Sequence, residues 1–361
     1  MLVRTDEMID KEVAVEQGLQ LCRFAGDVYP TWDTLSPRRR MLILGAGKLA
    51  EELSCVVLSQ RLGLMEIVGV LVGENEQVER RPPGLPSVIG THEQVARVVE
   101  EQKVTTIVVC LEDRRSVLPV EQLLDLKAMG IDVLDGHELF EEVSGRLSID
   151  SLRPSALVFS NGFKQRMASR IIKRFVDILV SAGGLLTLFP LFLLVAFLIK
   201  VDSPGPVFYR QVRVGLRGRP FHIWKFRSMV QDAENAGPRW AQADDPRISR
   251  VGWWLRKTRV DEFPQLVNVL RGEMSLVGPR PERPVFVQSL RKIIPYYDLR
   301  HTVRPGITGW AQVKFRYGAS EEDAHMKLQY DLYYVKRLSV GIDMRILVHT
   351  VRVMCLGEGA Q

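Results

Sequence analysis

Cysteine is scarce in this chain of 361 residues, and its four cysteines, at positions 22, 55, 110 and 355, show no CxxC spacing. The six histidines do not combine with them at zinc-finger intervals, and no HExxH motif occurs. The sequence therefore argues against a disulfide framework and against a structural zinc site. We expect the cysteines to be reduced thiols and the protein to face the cytosol.

Two further absences limit the targeting and redox hypotheses. The first 17 residues interleave acids with apolar side chains, so we expect no secretory signal peptide there. No tyrosine lies between Met41 and Gly145. That absence argues against a nucleotide-sugar oxidoreductase or epimerase, because such an enzyme would need a Tyr-x-x-x-Lys pair near its nucleotide-binding loop.

The bulk composition is that of a folded protein with material for two domains. Apolar residues make up 46% of the chain, and the formal net charge is +6. A basic chain favours an anionic partner, but nucleic acid, an anionic lipid surface and a phosphorylated substrate all stay open at this level.

The first domain shows apolar runs that alternate with helical patterns. Residues 1–40 read as a tail and linker that ends in a basic run, and residues 41–145 form the domain. The apolar runs cover 41–44, 67–72, 106–110 and 131–134, with helical patterns between them that include 92–102 and 120–129. This order predicts an α/β fold with a Rossmann-like, doubly wound parallel sheet.

A glycine loop follows the first predicted strand. Gly45, Gly47 and Ala50 stand where a dinucleotide-binding turn needs small residues, so Gly45 and Gly47 are candidate nucleotide-binding residues. An acid that would hold a ribose is expected about 20 residues later, but Glu74 lies further on. The motif therefore predicts the fold rather than NAD, which we do not expect as a cofactor.

A bridge over 146–169 leads to a long apolar segment at 171–200, at the start of a second domain that spans 170–361. Basic residues flank this segment on both sides, and Pro190 lies inside it. Similar flanks suit a helix that enters and leaves by one leaflet, and a proline supplies a cause for a bend. We predict a re-entrant helical hairpin, with a Pro-kinked spanning helix as the alternative.

The last third of the chain holds the candidate chemistry. Asp261 and Glu262 are adjacent carboxylates set among basic residues and rigid Pro/Gly turns. One carboxylate could attack a phosphoryl group while the other holds Mg²⁺, with arginines neutralising the phosphate charge. The plainer interpretation is that two acids near a helix start only favour the helix dipole, and that the turns are architecture.

In this region the sequence resembles the bacterial sugar transferases, or monotopic phosphoglycosyl transferases. The resemblance runs from about 173 to 359 and includes the apolar segment and the following motifs: KFRSM (225–229), DPRIS (245–249), LRKTRVDEFPQLVNVLRGEMSLVGPRPE (255–282), RPGITGWAQV (304–313), KLQYDLYYV (327–335) and SVGIDMRIL (339–347). The Rossmann-like domain is also similar to that of the longer exopolysaccharide-initiating members, especially at 138–152. Those members usually begin with several transmembrane helices, and no comparable segment precedes Ile171 here.

The resemblance implies a mostly α, monotopic membrane domain and a role for each matching residue. Asp261 is expected to attack the β-phosphate of a UDP-sugar and release UMP, and Glu262 is its partner carboxylate. Mg²⁺ is the implied cofactor, with Glu262 and Asp261 as ligands. The residues expected to bind substrate or its phosphates are Lys225, Arg227, Arg256, Arg280 and Pro281.

The partners follow from the same resemblance. They are a UDP-sugar, undecaprenyl phosphate as the acceptor and membrane lipid, with no nucleic acid, and the implied place is the cytoplasmic face of a bacterial inner membrane. The sugar, the ligand of the Rossmann-like domain and a homo-oligomeric state stay open. A non-catalytic membrane scaffold is the remaining alternative, and it predicts no UMP release.

Overall fold

The computed structural model describes residues 39–59, 65–73, 85–111, 118–152, 154–160, 162–163, 167–230, 245–315 and 320–356. Of the predicted tail over 1–40, only Arg39 and Arg40 belong to this set, and Glu74 lies outside it. The chain divides into two compact units, of which the first ends at Ser160 and the second begins at Asn161. This boundary falls inside the segment interpreted as a linker.

The first unit contains a five-stranded parallel sheet with the strand order β3-β2-β1-β4-β5. Its strands are β1 (Arg39–Leu44), β2 (Met65–Val72), β3 (Val88–Thr91), β4 (Thr106–Val109) and β5 (Asp132–Asp135). Its helices are α1 (Lys48–Ser59), α2 (Val95–Gln102), α3 (Val120–Ala128), α4 (Gly136–Ser144) and α5 (Pro154–Phe159). The predicted parallel α/β sheet is thereby confirmed.

Apolar clusters on both faces of the sheet explain why its strands read as unbroken apolar runs. Met41 and Ile43 pack on one face with residues of α1 and α4, while Leu42 and Leu44 pack on the other with residues of α2 and α3. All four side chains are almost completely buried. The apolar runs did not predict β3, because this edge strand is short and two of its residues are exposed.

The glycine loop lies between β1 and α1, at the point where the strand order reverses. Gly45 has a φ of +100°, and its N–H donates to Leu71 O at 2.8 Å. A Cβ there would lie 3.2 Å from the backbone of Cys110. Glycine is therefore required by the turn itself, whereas Gly47 accepts the first hydrogen bonds of α1 from Ala50 and Glu51.

Two helices at the start of the second unit, named the hairpin helices, cover the segment predicted as a re-entrant hairpin. They are α6 (Met167–Thr187) and α7 (Phe189–Asp202), and they are bent by 59° relative to each other. Pro190 lies in the first turn of α7, where its missing N–H leaves no helical bond unmade. In the described ranges no single helix is long and apolar enough to cross a bilayer, although this bent pair together meets that test by length and composition.

The rest of the second unit consists of short strands and helices. An antiparallel pair is formed by β6 (Phe208–Val214) and β7 (Pro220–Phe226), and a short parallel pair by β8 (Ser275–Val277) and β9 (Gly306–Thr308). The helices are α8 (Arg250–Lys257), α9 (Gln265–Arg271), α10 (Pro284–Ile293), α11 (Trp310–Lys314), α12 (Glu321–Lys336) and α13 (Val340–Leu356).

Polar contacts from α6 attach the hairpin to the rest of this unit. Asp177 is buried and accepts hydrogen bonds from Ser275 Oγ at 3.0 Å and Leu276 N at 2.9 Å. Lys173 Nζ forms an ion pair with Asp343 at 2.7 Å. Arg174 donates to the last carbonyls of α9, those of Val269 and Leu270, at 2.7 and 2.9 Å. The first hairpin helix is therefore fixed in register against β8, α9 and α13.

Candidate active site

The two adjacent carboxylates lie on a single 3₁₀ turn, Val260–Glu262, between α8 and α9. The turn forms because Arg259 adopts a left-handed conformation, with φ of 56°, directly after α8. Asp261 and Glu262 are only 7% and 8% exposed, so both charges have been removed from bulk water. A buried pair of this kind needs compensating cations.

Glu262 is held by two cations that come from different parts of the chain. Lys225, near the end of β7, places Nζ 2.8 Å from Glu262 Oε1, and Arg280 places Nη2 2.5 Å from the same oxygen. Arg280 Nη1 also donates to Oε2 at 3.3 Å. Burial by itself raises the pKa of Glu262, but the charges of Arg280 and Lys225 and their hydrogen bonds hold this pKa well below its usual range.

Asp261 has a different environment. Within the described residues, no group donates a hydrogen bond to its carboxylate. Burial raises the pKa of Asp261, with the Glu262 charge acting in the same direction and Lys225, Arg256 and Arg280 acting against it. The two neighbouring carboxylates are thus unequal, because one is bonded on two sides and the other keeps its lone pairs available.

Arg256 reaches the site from α8, and a close backbone contact fixes this helix. The guanidinium Nε of Arg256 donates to Ser228 Oγ at 3.1 Å. A Cβ added to Gly252 would lie 1.9 Å from Ser228 O, so only glycine permits α8 to approach this chain segment. Ser249 caps the helix by accepting from Gly252 N at 3.0 Å. The KFRSM segment and α8 therefore form one support for Arg256.

Arg280 is placed by the crossing of two Pro/Gly segments. Gly278 N donates to Thr308 O at 2.9 Å, and Gly306 N donates to Pro279 O at 3.0 Å. A Cβ on Gly306 would lie 2.1 Å from Gly278 N, and one on Gly309 would lie 2.2 Å from Gly278 O. The GPRPE and RPGITGW motifs are therefore architecture, and that architecture carries Arg280 to Glu262.

Pro281, expected to contact substrate, is buried beside Arg280. Its carbonyl accepts from Arg213 Nη1 at 3.0 Å, and Arg213 also lies 3.6 Å from Glu282. Burial lowers the pKa of Arg213 to about 10, against the opposing effect of the Glu282 charge. In the sequence Arg213 is only one of the basic residues that follow the apolar segment. The alternation of β6 gives no signal for it, because the apolar residues Phe208, Val212 and Val214 lie on the other face of the strand.

Arg227, also expected to bind phosphate, points to a different part of the unit. Its guanidinium is buried and donates at 2.6 Å to the carbonyls of both Ser203 and Pro204. It also donates to Ser203 Oγ at 3.0 Å. These contacts fix the end of the second hairpin helix, α7. The structure gives Arg227 an anchoring role, away from the two carboxylates.

Asp245 of the DPRIS motif forms an ion pair within its own turn. Arg247 Nε donates to Asp245 Oδ1 at 2.7 Å. The isolated bridge between Met229 and Ile248 joins this motif to the end of KFRSM. DPRIS therefore helps to support the segment that carries Ser228.

The site also suits the way in which Mg²⁺ is commonly bound. Among the residues that the structure describes, no group of three or more His, Cys, Asp or Glu side chains could hold a metal ion by itself. Mg²⁺ often takes only one or two carboxylates and completes its shell with substrate phosphates and water. The Asp261 carboxylate fits that pattern, and Glu262 has mainly Oε2 left for such an ion, since its Oε1 already accepts from Lys225 and Arg280.

Comparison with known proteins places this site within a known family. The family model described as bacterial sugar transferase matches residues 168–357.

The chain belongs to the bacterial sugar transferase family.

Three curated relatives illustrate the similarity. A UDP-N-acetylgalactosamine-undecaprenyl-phosphate N-acetylgalactosaminephosphotransferase of Aeromonas hydrophila is 44% identical over 64% of this chain and 54% of its own length. A UDP-glucose:undecaprenyl-phosphate glucose-1-phosphate transferase of Escherichia coli K12 is 42% identical over 51% of this chain and 40% of its own. An undecaprenyl-phosphate glucose phosphotransferase of Komagataeibacter xylinus is 32% identical over 87% of this chain and 58% of its own.

The chain spans about half the length of these relatives. The family match includes the hairpin and every residue of the carboxylate cluster, namely Lys225, Arg256, Asp261, Glu262 and Arg280. The glycine loop with Gly45 and Gly47 lies outside the matched range. The region of this bacterial sugar transferase that defines the family is therefore the second unit.

Proposed function

We propose that this chain transfers a sugar-1-phosphate from a UDP-sugar to undecaprenyl phosphate, through a covalent intermediate on Asp261. The observation that carries the proposal is the inequality of the two carboxylates. Glu262 is fixed by Lys225 and Arg280, while the buried Asp261 accepts no hydrogen bond from the described residues. The names of the relatives describe a transfer of sugar phosphate to undecaprenyl phosphate.

The charges around the site suit a substrate diphosphate. Lys225, Arg256 and Arg280 act on the Asp261 carboxylate, and Glu262 is the second anion beside it. Three cations and two carboxylates leave one positive charge, which favours an anionic phosphate over an empty site. Fixed cations that stabilise charge as it develops on phosphoryl oxygens are a main source of catalysis in such transfers.

In the first step, a carboxylate oxygen of Asp261 attacks the β-phosphorus of the UDP-sugar. The new O–P bond forms as the bond from that phosphorus to the bridging oxygen breaks, and the electron pair leaves with UMP. In the second step, a phosphate oxygen of the lipid attacks the same phosphorus and expels the Asp261 carboxylate. The product is a lipid-linked diphosphate sugar, and two easier displacements replace one difficult displacement.

Asp261 must be ionised to attack, although burial raises its pKa. The nearby cations Lys225, Arg256 and Arg280 oppose this effect and favour the anionic form. Asp261 and Glu262 would hold Mg²⁺, which when bound neutralises charge on the substrate phosphates.

The hairpin suits a location at the cytoplasmic face of a bacterial inner membrane. Large apolar side chains along α6 and α7 are strongly exposed, for example Leu186 at 78% and Val201 at 69%. Polar contacts hold both helices against the rest of the second unit, through Lys173 and Asp177 on α6 and through Arg227 at the end of α7. A monotopic, re-entrant hairpin of this kind would place the carboxylates at the depth of lipid phosphates, which reduces the orientational entropy lost on reaction.

The test is UMP release from a panel of UDP-sugars by the purified protein in lipid, with Mg²⁺ and undecaprenyl phosphate. We expect Asp261→Asn to abolish release and Asp298→Asn to retain it. Asp298 is a suitable control because it is an aspartate of the same unit with 57% of its side chain exposed.

A donor labelled in its β-phosphate tests the intermediate directly. We expect the label to remain on the wild-type protein when the lipid acceptor is omitted, and to be absent from the Asp261→Asn variant. UMP release without any label at position 261 would contradict the covalent route. No UMP release from any donor would favour a non-catalytic scaffold.

The re-entrant topology needs a separate measurement. Single cysteines placed before Met167 and after Asp202 should react with an impermeant reagent from the same side of a sealed vesicle. Reaction from opposite sides would show that the helix pair spans the membrane.

A further inference from the structure

The loop that carries Arg280 is held through its carbonyl groups. Prolines at 279 and 281 have no N–H, so the loop has few donors of its own. Its four successive carbonyls each accept a hydrogen bond from another segment: Pro279 O from Gly306 N at 3.0 Å, Arg280 O from Arg300 Nη2 at 2.8 Å, Pro281 O from Arg213 Nη1 at 3.0 Å and Glu282 O from Val214 N at 2.9 Å. The conformation of the loop is therefore determined by hydrogen bonds that other segments donate to it.

Arg300 makes the contact to the main-chain carbonyl of Arg280 itself. Its guanidinium is 8% exposed and lies in a 3₁₀ helix, Tyr297–Thr302. Besides Arg280 O, it donates from Nη1 to Tyr297 Oη at 2.7 Å and lies 2.8 Å from Asp331 Oδ2 on α12. Tyr297 and Asp331 are each only 2% exposed. Two buried partners, Tyr297 and Asp331, thus fix the guanidinium that holds the loop.

We propose that Arg300 is a positioning residue for phosphoryl transfer, which holds the main chain at Arg280 so that the Arg280 guanidinium stays on Glu262. Asp331 supplies the counter-charge that makes a buried cation acceptable at this point. Arg300 acts through Arg280 and does not itself contact the two carboxylates. This inference rests on the proposed function, since Arg280 is one of the cations of that site.

Arginine suits this role better than lysine. Its planar guanidinium directs N–H groups along fixed lines, and here these donate to a phenol and a carbonyl while the charge lies 2.8 Å from the Asp331 carboxylate. A lysine ammonium retains the charge beside Asp331 but cannot match both hydrogen-bond directions. A misplacement of about 1 Å at a reacting centre costs on the order of 10²-fold in rate.

The test compares Arg300→Lys with Arg291→Lys. Arg291 is also paired with an aspartate, Asp298, but that pair lies at the surface with about half of each side chain exposed. We expect Arg300→Lys to lower kcat by roughly 10 to 10²-fold with little change in KM, and Arg291→Lys to change neither. The kcat is expressed per folded molecule, because a merely structural role would lower the folded fraction and leave this quantity unchanged.

A structure of the Arg300→Lys protein supplies a readout that does not depend on turnover. We expect the Arg280 contacts to Glu262, at 2.5 and 3.3 Å in the wild type, to lengthen or break. Contacts that stay in place, or a kcat per folded molecule within about twofold of wild type, would overturn the positioning role. If the wild-type protein releases no UMP, the proposed function fails by itself, and the Arg280 contacts alone decide whether Arg300 positions that residue.

Discussion

The interiors of the two units are stabilised by different kinds of contact. The sheet of the first unit lies between two apolar clusters, and its central strand residues, Met41 to Leu44, are at most 1% exposed. In the second unit, buried polar and charged side chains connect segments that are far apart in sequence, such as Asp177 with Leu276 and Arg300 with Asp331. Apolar packing tolerates many sequences, whereas each buried polar contact needs its particular partner. The unit that carries the candidate chemistry is the one that depends on specific pairs.

The largest expected difference between the units concerns two paired lysines. Lys225 lies 2.8 Å from Glu262 in the second unit, and Lys48 lies 2.6 Å from Asp150 in the first. We expect Lys225→Met to lower kcat for UMP release by roughly 10² to 10³-fold, because a fixed cation at the phosphoryl group is lost. Lys48→Met should leave kcat unchanged. Equal losses in both variants would show that the glycine-loop unit takes part in the reaction.

A second experiment compares the free energy of unfolding lost when a buried polar contact is removed in the second unit with that lost when an apolar side chain is shortened in the first. Asp177→Leu leaves the buried Ser275 Oγ and Leu276 N–H without their acceptor, at about 1–3 kcal/mol for each group. Ile43→Val in the first unit should cost about 0.5–1.5 kcal/mol. Backbone hydrogen exchange in detergent, read separately for peptides of each unit, measures both costs.

The matched variant in this experiment is Asp177→Asn, which keeps an acceptor oxygen in place. It should be destabilised less than Asp177→Leu. If the leucine variant is as stable as the wild type, the second unit does not depend on its buried polar contacts, and the contrast between the units disappears.

The smallest expected effect concerns one glutamate of each unit, because acid changes the stability contributions of Glu51 and Glu262 in opposite directions. Burial and the Glu52 charge raise the pKa of Glu51 in the first unit, so its contribution to stability is present below its ordinary pKa of 4.5 and is lost as pH rises through the higher folded value. The pKa of Glu262 is held well below 4.5 despite burial, so its contribution is present above pH 4.5 and is lost as pH falls towards the folded value.

Thermal unfolding over about pH 3 to 6, on both sides of the ordinary glutamate pKa of 4.5, measures both contributions. We expect Glu262→Gln to weaken the loss of stability in acid and Glu51→Gln to leave that loss in place. An acid response that Glu262→Gln does not alter would argue against the two ion pairs of Glu262 as the cause.

Part of this arrangement follows from local sequence signals. The apolar runs of the first unit predicted a parallel sheet, since strands covered on both faces are continuously apolar. The long apolar segment with Pro190 predicted two helices with a bend between them, and the bend lies within two residues of that proline. The motif order identified the family and the adjacent carboxylates. Each of these inferences depends on neighbours within one element or one motif.

The tertiary structure decided how the polar residues are used. KFRSM suggested similar roles for Lys225 and Arg227, but the first side chain reaches Glu262 and the second fixes the end of the hairpin. The unequal bonding of Asp261 and Glu262, and the contact of Arg300 with the Arg280 carbonyl, were also not foreseeable from spacing. Repeating patterns along the chain reflect contacts between near neighbours, whereas these pairs join residues 18 to 37 positions apart. Their partners become defined only when the separate segments fold against one another.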